Sequence, residues 1–261
     1  MGRMPVLAHI ANELRGAGIT DALFIVSAQK PQIRSYFGEV YYCDGDDAHG
    51  VEATPLRCSY VTQEIQRGLG DALLYAEEWT RDEPFAVAFG DCMIDAPDPA
   101  EPLRRLLEVH ANHGAGATVL AENVPREQVY RYGVLAPETA GGGEDGAPTA
   151  VRDIVEKPRP EEAPSSLVVA ARWVLDPLIF RYLRSVEPDA RGELNLTDAV
   201  RAMLKSGRAF WAAPLIQGEQ RRDIGNFETF FAAFVRAALR DSEYGESARR
   251  AATEEMAAGW A

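Results

Sequence analysis

This 261-residue chain has no apolar run long enough to cross a bilayer, and its first residues lack the apolar core of a secretion signal. A soluble, cytoplasmic protein is therefore expected. Positive charge is also short. Lys and Arg number 27 against 40 Asp and Glu, giving a formal net charge of −13. That balance argues against a surface built to grip nucleic acid or an anionic membrane. A nucleotide remains admissible, because a small site can be locally positive or use a metal ion. Cysteine is scarce: Cys43, Cys58 and Cys92 match no zinc or redox spacing, which fits a reducing compartment. There is no Gly-x-Ser-x-Gly, so a hydrolase elbow is unsupported, and no repeat of fixed period.

Apolar residues are plentiful, at 46%, and allow a substantial core within one large domain. Pro5 suits a first helical turn, Leu7, Ile10 and Leu14 then share a helical face, and Gly16 and Gly18 are stop signals. "ALFIV" follows as a strand. "CSYVTQ" reads as another strand, and "GDALLYAEEW" has helical spacing at Leu73, Leu74 and Trp79. "PFAVAFGD" reads as a strand buried on both faces, "EPLRRLLEVHANHG" as a helix and "ATVLAE" as a strand. Strands alternating with helices imply a mostly parallel sheet covered on both faces.

The pattern becomes richer in strands near Tyr130. "YGVLAPE" and "AVRDIVEKP" read as strands around "TAGGGEDGAP", a loop without core-forming residues. "LVVAARWVL" and "AFWAAPLI" are further strands; "DPLIFRYLRSV", "NLTDAVRAMLKSG" and "NFETFFAAFVRAAL" are helices. Residues 241–261 are polar and rich in Ala and Glu, as a surface helix would be. The expected class is α/β.

Four short stretches have residues suited to chemistry. In "QEIQRGLGDAL" a Gly-rich turn before a helix lets the backbone approach a flat or anionic ligand, and the Gln63 amide can read a pyrimidine edge. A plain strand-to-helix turn would look the same. In "FGDCMID", Asp91 follows an apolar strand, at the sheet edge where open α/β folds place ligands, and could hold magnesium; a helix cap or turn residue is the plainer alternative. In "VEKP", Glu156 and Lys157 would point to opposite faces of a strand, yet at a strand end both can border one pocket. Asp223, in "RRDIGN", precedes a Gly turn into an apolar helix and could again be a cap. His110 and His113 have no acidic partner beside them in sequence and are read as structural or surface residues.

Taken in this order, residues 30–235 resemble the sugar-1-phosphate nucleotidylyltransferases, most nearly the bacterial UTP–glucose-1-phosphate uridylyltransferases. The resemblance lies in "QEIQRGLGDAL", with its glutamine five residues before the first glycine, in "APSSLVVAARWVL" and above all in "GELNLTDAV". It implies a Rossmann-like nucleotide-diphospho-sugar transferase fold, with residues 1–125 as a nucleotide-binding half and 126–240 as a β-rich sugar-binding half. It also implies UTP and glucose 1-phosphate as substrates and a homo-oligomer as the assembly. By position, Gln63 and Gly68 would contact uracil, and Asp91 and Asp223 would hold Mg2+. Gly133 would touch the sugar through its backbone, Glu156 would bind glucose hydroxyls and Lys157 the sugar phosphate. A thymidylyl or other nucleotidylyl transferase, or a non-catalytic sugar-nucleotide-binding relative, stays open.

The family begins with a strand and a G-x-G-T-R loop, whose backbone N–H groups hold the triphosphate, and "GRMPVL" resembles the segment just after them. The expectation is that the chain as written transfers little and lacks a strand near the middle of its sheet. A misplaced start or a cut, a catalytically silent relative, and another segment replacing the strand, which nothing in the sequence suggests, are the competing explanations.

Overall fold

The computed structural model describes residues 4–42, 55–139, 141–143 and 146–259; Cys43 and part of the "TAGGGEDGAP" segment lie outside the described residues. Helix α1 (Val6–Gly16) leads into β1 (Asp21–Val26), followed by α2 (Pro31–Phe37), β2 (Val40–Tyr41) and β3 (Leu56–Thr62). These strands form one sheet in the order β1-β3-β2, with β1 and β3 parallel. Ala8 and Ala11 of α1 pack on it with Ala22, Phe37 and Leu56.

The expected helix over 70–79 is divided into α3 (Leu69–Leu74) and α4 (Glu77–Thr80). Tyr75 and Ala76 between them keep helical dihedrals, so the segment is one helical run with a break in its hydrogen bonding. Arg81, at φ 53°, ends it in the left-handed region.

The larger sheet is built from β4 (Phe85–Ala88), β6 (Ala117–Asn123), β7 (Gly133–Pro137), β8 (Thr149–Glu156), β9 (Leu167–Leu175) and β10 (Phe210–Pro214). Its order is β4-β9-β6-β10-β8-β7, and β9 also meets β7. A short ladder joins β5 (Cys92–Asp95) to β11 (Gln220–Asp223). Helix α5 (Glu101–His113) packs on β6, β9 and β10, while α6 (Ile179–Leu183) packs on α7 (Leu196–Lys205), which lies on β8. Helices α8 (Phe227–Arg240) and α9 (Gly245–Ala258) follow, and the second is largely exposed as expected.

The α/β class is as read from sequence, but the sheets are mixed. Among the described strands, only β1–β3 and β6–β10 are parallel pairs. The physical reason lies in the connections. Parallel neighbours need a crossover of about a dozen residues or more, usually a helix. The link from β7 to β8 is too short to carry one, so β8 doubles back on β7, and β9 returns on the other side of β7, again antiparallel to it. Nine-residue β9 runs antiparallel to β4, β6 and β7 and is buried almost throughout. Trp173 and Leu175 contribute to the main core with Val119, Ile154, Leu196 and Val200.

"PFAVAFGD" also departs from expectation. Its strand part, β4, is half-buried rather than enclosed, because β9 is its one strand neighbour among the described residues. Similarly, among the described residues β1 pairs with β3 alone. Leu23 and Ile25 of β1 and Phe85 and Val87 of β4 rest on the same main core. His110 is structural, as read: it is buried, with Nδ1 3.0 Å from Thr118 Oγ1, and burial pushes its pKa down. His113 stacks on Trp211. No helix among the described residues is long and apolar enough to cross a membrane.

Candidate functional site

Asp91 sits in the turn between β4 and β5, and Asp223 ends β11. Antiparallel pairing sets Asp223 opposite Cys92, next to Asp91. The Ile224 N–H donates to the Asp91 carbonyl at 2.9 Å, and the Gly225 N–H donates to Asp223 Oδ1 at 2.8 Å. A Cβ added to Gly225 would stand 3.2 Å from both Asp91 Oδ2 and Asp223 Oδ1. The two oxygens are therefore no farther apart than twice that distance, and they face one small space. Glycine at 225 keeps that space open.

No group of three or more His, Cys, Asp and Glu able to hold a metal occurs among the described residues. Two exposed or half-exposed carboxylates nevertheless suit Mg2+, which keeps several waters and takes one or two carboxylates plus phosphate oxygens. The donor set fits that ion and would fit a caged Zn2+ poorly. Burial pushes the neighbouring Cys92 thiol up to about 12, which disfavours the thiolate form.

A second cluster forms at the β7–β8 pairing, where Gly133 lies opposite Glu156. Thr197, in the first turn of α7, donates from Oγ1 to Glu156 Oε2 at 2.7 Å. Lys157 leaves the strand with φ 44°, its N–H donating to the Tyr132 carbonyl at 3.0 Å. That left-handed turn stops Lys157 from pointing away from its neighbour, as continued strand geometry would require. Its Nζ instead lies 3.6 Å from Glu156 Oε1. A Cβ on Gly133 would come within 3.4 Å of Glu156 Oε2 and 3.3 Å of Val169.

Two connections set these clusters beside each other. Arg221, in β11, stacks its guanidinium 4.1 Å from the Tyr132 ring centre and pairs with Glu122. Asp223 is two residues further along β11, so it shares a strand face with Arg221. In β9, Val169 touches the Gly133 position while the Ala171 carbonyl accepts from Phe89 N at 3.3 Å, just before Asp91. Those β9 residues are only about 7 Å apart along the strand. Burial raises the Glu122 pKa, with Arg221 opposing that shift.

Gln63 and Gly68 reach the same region through the "GELNLTD" segment. Gly68, at φ 93°, and Gly70 press on the Leu194 carbonyl; added Cβ atoms would stand 2.8 Å and 2.7 Å from its oxygen. Leu194 N donates to Arg67 O at 2.7 Å and Gly70 N to Leu194 O at 2.8 Å. These glycines thus have a packing role whatever ligand they meet. From Leu194 the chain runs directly to Thr197 and its bond to Glu156. Gln63 Nε2 donates to Asp71 Oδ2 at 2.7 Å, which fixes the amide's orientation. Asp71, Thr197 and Tyr132 were not singled out from sequence. Thr197 and Asp71 lie within two of the stretches that carry the resemblance, the signal that pointed towards them.

Two cavities, of about 440 and 520 Å³, lie elsewhere. The first is bounded by Arg181, Arg184 and Arg208, the second by Asp95, Arg222 and Arg240. Neither is lined by the residues singled out from sequence.

Residues 1–239 match the nucleotidyl transferase family. The UTP–glucose-1-phosphate uridylyltransferase of Streptococcus pneumoniae is 33% identical over 246 residues, covering 90% of this chain and 80% of that protein. A solved UDP-glucose pyrophosphorylase complexed with UDP-glucose is 28% identical, with a TM-score of 0.75 over 88% of this chain and 84% of its own. The UTP-bound UGPase from Acinetobacter baumannii is 25% identical, with a TM-score of 0.79 over 96% and 88% of the two chains.

Proposed function

Because this chain belongs to the nucleotidyl transferase family, we propose that it transfers the uridylyl group of UTP to glucose 1-phosphate, giving UDP-glucose and pyrophosphate. The observation carrying this reading is the meeting of Asp91 and Asp223 across Gly225, beside the Glu156–Lys157 cluster. The relatives named for UTP, UDP-glucose and glucose 1-phosphate supply the choice of base and sugar.

The acceptor is a phosphate oxygen that attacks the α-phosphorus of the nucleotide in line and expels pyrophosphate. A phosphate monoester is largely dianionic near neutral pH, so the nucleophile needs no general base. That agrees with a site built without histidine. What remains is to align two anions and offset their repulsion. Lys157 aims its ammonium at the sugar phosphate, and Glu156, oriented by Thr197, accepts from sugar hydroxyls. Gly133 leaves room for the sugar against the backbone. The Gln63 carbonyl oxygen, its amide nitrogen already bonded to Asp71, accepts from the base, with Gly68 beside it. Asp91 and Asp223 hold Mg2+, which when bound neutralises charge on the two phosphates.

Thymine offers Gln63 the same hydrogen-bonding edge, so dTTP is the discriminating competitor. Pyrophosphate release should be measured with each nucleotide and glucose 1-phosphate, for the chain as written and for a form extended by a family-type strand and G-x-G-T-R loop. Preference for UTP, with activity lost in Asp91→Asn and Asp223→Asn, is the expected result. Preference for dTTP would overturn the uridylyl assignment. UDP-glucose binding without any pyrophosphate release would make the chain a binding relative rather than an enzyme.

A further inference from the structure

Arg172 and Glu13 form a bidentate ion pair, with Nε and Nη2 each 2.7 Å from a carboxylate oxygen. Their side chains are 1% and 4% exposed, and they join β9 to α1. The pair does more than cancel charge. Arg172 Nη2 also donates to the Cys92 carbonyl at 3.1 Å, and Nη1 to the Ala171 carbonyl at 3.1 Å. The guanidinium therefore grips the residue next to Asp91, at the rung where Cys92 faces Asp223. Ala171 adopts φ 61°, a left-handed conformation that a residue with a Cβ rarely takes. Its carbonyl accepts both from Arg172 and from Phe89, so the strained residue closes a ring of bonds around the Asp91 turn.

Burying an ion pair costs desolvation, and a well-packed apolar pair often serves stability as well or better. Stability alone thus gives little reason for this arrangement. Backbone strain held beside a functional turn points in the same direction. We propose that Arg172, oriented by Glu13, is a positioning residue that holds the Asp91 turn at the spacing Asp91 and Asp223 need to share one divalent cation. This rests on the reading of those two aspartates as cation ligands. Glu13 keeps the fork from rotating, Arg172 anchors the turn through Cys92, and Ile224 ties the opposite side to Asp91.

The test is titration of the purified protein with Mn2+ alone, following the free ion by electron paramagnetic resonance at a temperature where every variant is folded by circular dichroism. Arg172→Lys keeps the charge but loses the fork. Glu13→Gln is nearly isosteric and serves if the first variant does not fold. Each should weaken Mn2+ binding roughly tenfold, as loss of a group orienting a ligand typically does. Ala171→Gly, which relieves strain while leaving the guanidinium in place, should bind like the parent. Unchanged Mn2+ affinity in the Arg172 and Glu13 variants, with Asp91→Asn deficient, would overturn the positioning role, even if their Tm fell. Unchanged affinity in Asp91→Asn and Asp223→Asn would instead overturn the cation reading, and this proposal with it.

Discussion

Lys157 occupies a left-handed backbone position that brings its ammonium to the same side as Glu156. Replacing it with Ala removes that charge without changing the pocket's other partners. In a form extended by a family-type strand and G-x-G-T-R loop, Lys157→Ala is expected to raise KM for the sugar phosphate at least tenfold while leaving nucleotide binding within about twofold, since a hydrogen bond to a charged group is worth roughly 1.5–3 kcal/mol. Steady-state kinetics with each substrate varied in turn checks this; equal losses for both would make Lys157 a surface charge. Asp189 allows a different measurement. The Glu193 N–H foremost, then the N–H and side chain of Arg191, hold its carboxyl at about 2. A carboxyl held lower in the folded state stabilises it above the unfolded pKa, and that contribution fades as pH falls from about 4 towards 2. Asp189→Asn should therefore lower Tm at neutral pH and flatten its decline over that acid range. An unchanged acid profile would mean that the loop carrying Leu194 is not held by this carboxylate.

Among the elements, the joint between α3 and the start of α7 offers the sharpest test. Gly70 lies in the first turn of α3, where helix propensity favours Ala over Gly by up to about 1 kcal/mol. A Cβ there would stand 2.7 Å from the Leu194 carbonyl oxygen and 2.9 Å from Leu183 Cδ2. Such overpacking costs roughly 1–3 kcal/mol, so the clash should win. Gly70→Ala is expected to lower Tm by several degrees and to reduce transfer by moving Thr197 away from Glu156. Thermal melts measure the first effect and kinetics the second. A more stable variant would show that the joint can open without cost. Much of this was open to reading from the chain. The resemblance made the glycine turn legible as base-reading and "GELNLTDAV" as part of a sugar pocket. Their mutual contact was not legible, because the sequence separation between Gly70 and Leu194 hides a backbone hydrogen bond.

At the scale of the molecule, α8 exposes an apolar stripe. Phe227, Phe231, Phe234 and Val235 are 80%, 59%, 44% and 51% exposed and recur at helical spacing on one face. Aromatic side chains cover about 150–250 Å² each, so the stripe approaches the several hundred Å² that mark interaction surfaces. The homo-oligomer implied by the resemblance is proposed to form by covering this stripe with the same stripe of a second copy, as a two-fold interface allows. The double variant Phe227→Ser, Phe231→Ser should shift sedimentation towards the monomer. A parent chain that is monomeric at all concentrations would dismiss the idea.

Local order along the chain was sufficient for the α/β class, most of the strands and helices, and the stretches around Gln63, Asp91, Glu156 and Asp223. Each depends on neighbours a few residues away: apolar periodicity, a Gly turn, a strand ending in a carboxylate. Strand direction was another matter. Periodicity reports which face of a strand is apolar and says nothing of its partner, so the expected parallel sheet became a mixed one when β8 doubled back on β7 and β9 paired antiparallel with β4, β6 and β7. Nor could periodicity distinguish half-buried β4 from an enclosed strand, since burial there depends on which strands stand beside it. The same limit governs the site. Thr197 meets Glu156 across 41 positions, and Arg172 meets Glu13 across 159. The chain supplied the carboxylates, the lysine and the turns that present them. Only the packing of β9 against β4, β6 and β7, with α1 and α7 docked on either side, decided that Asp91 would face Asp223 and that a buried arginine would stand behind them, because those distances are properties of folded space rather than of sequence spacing.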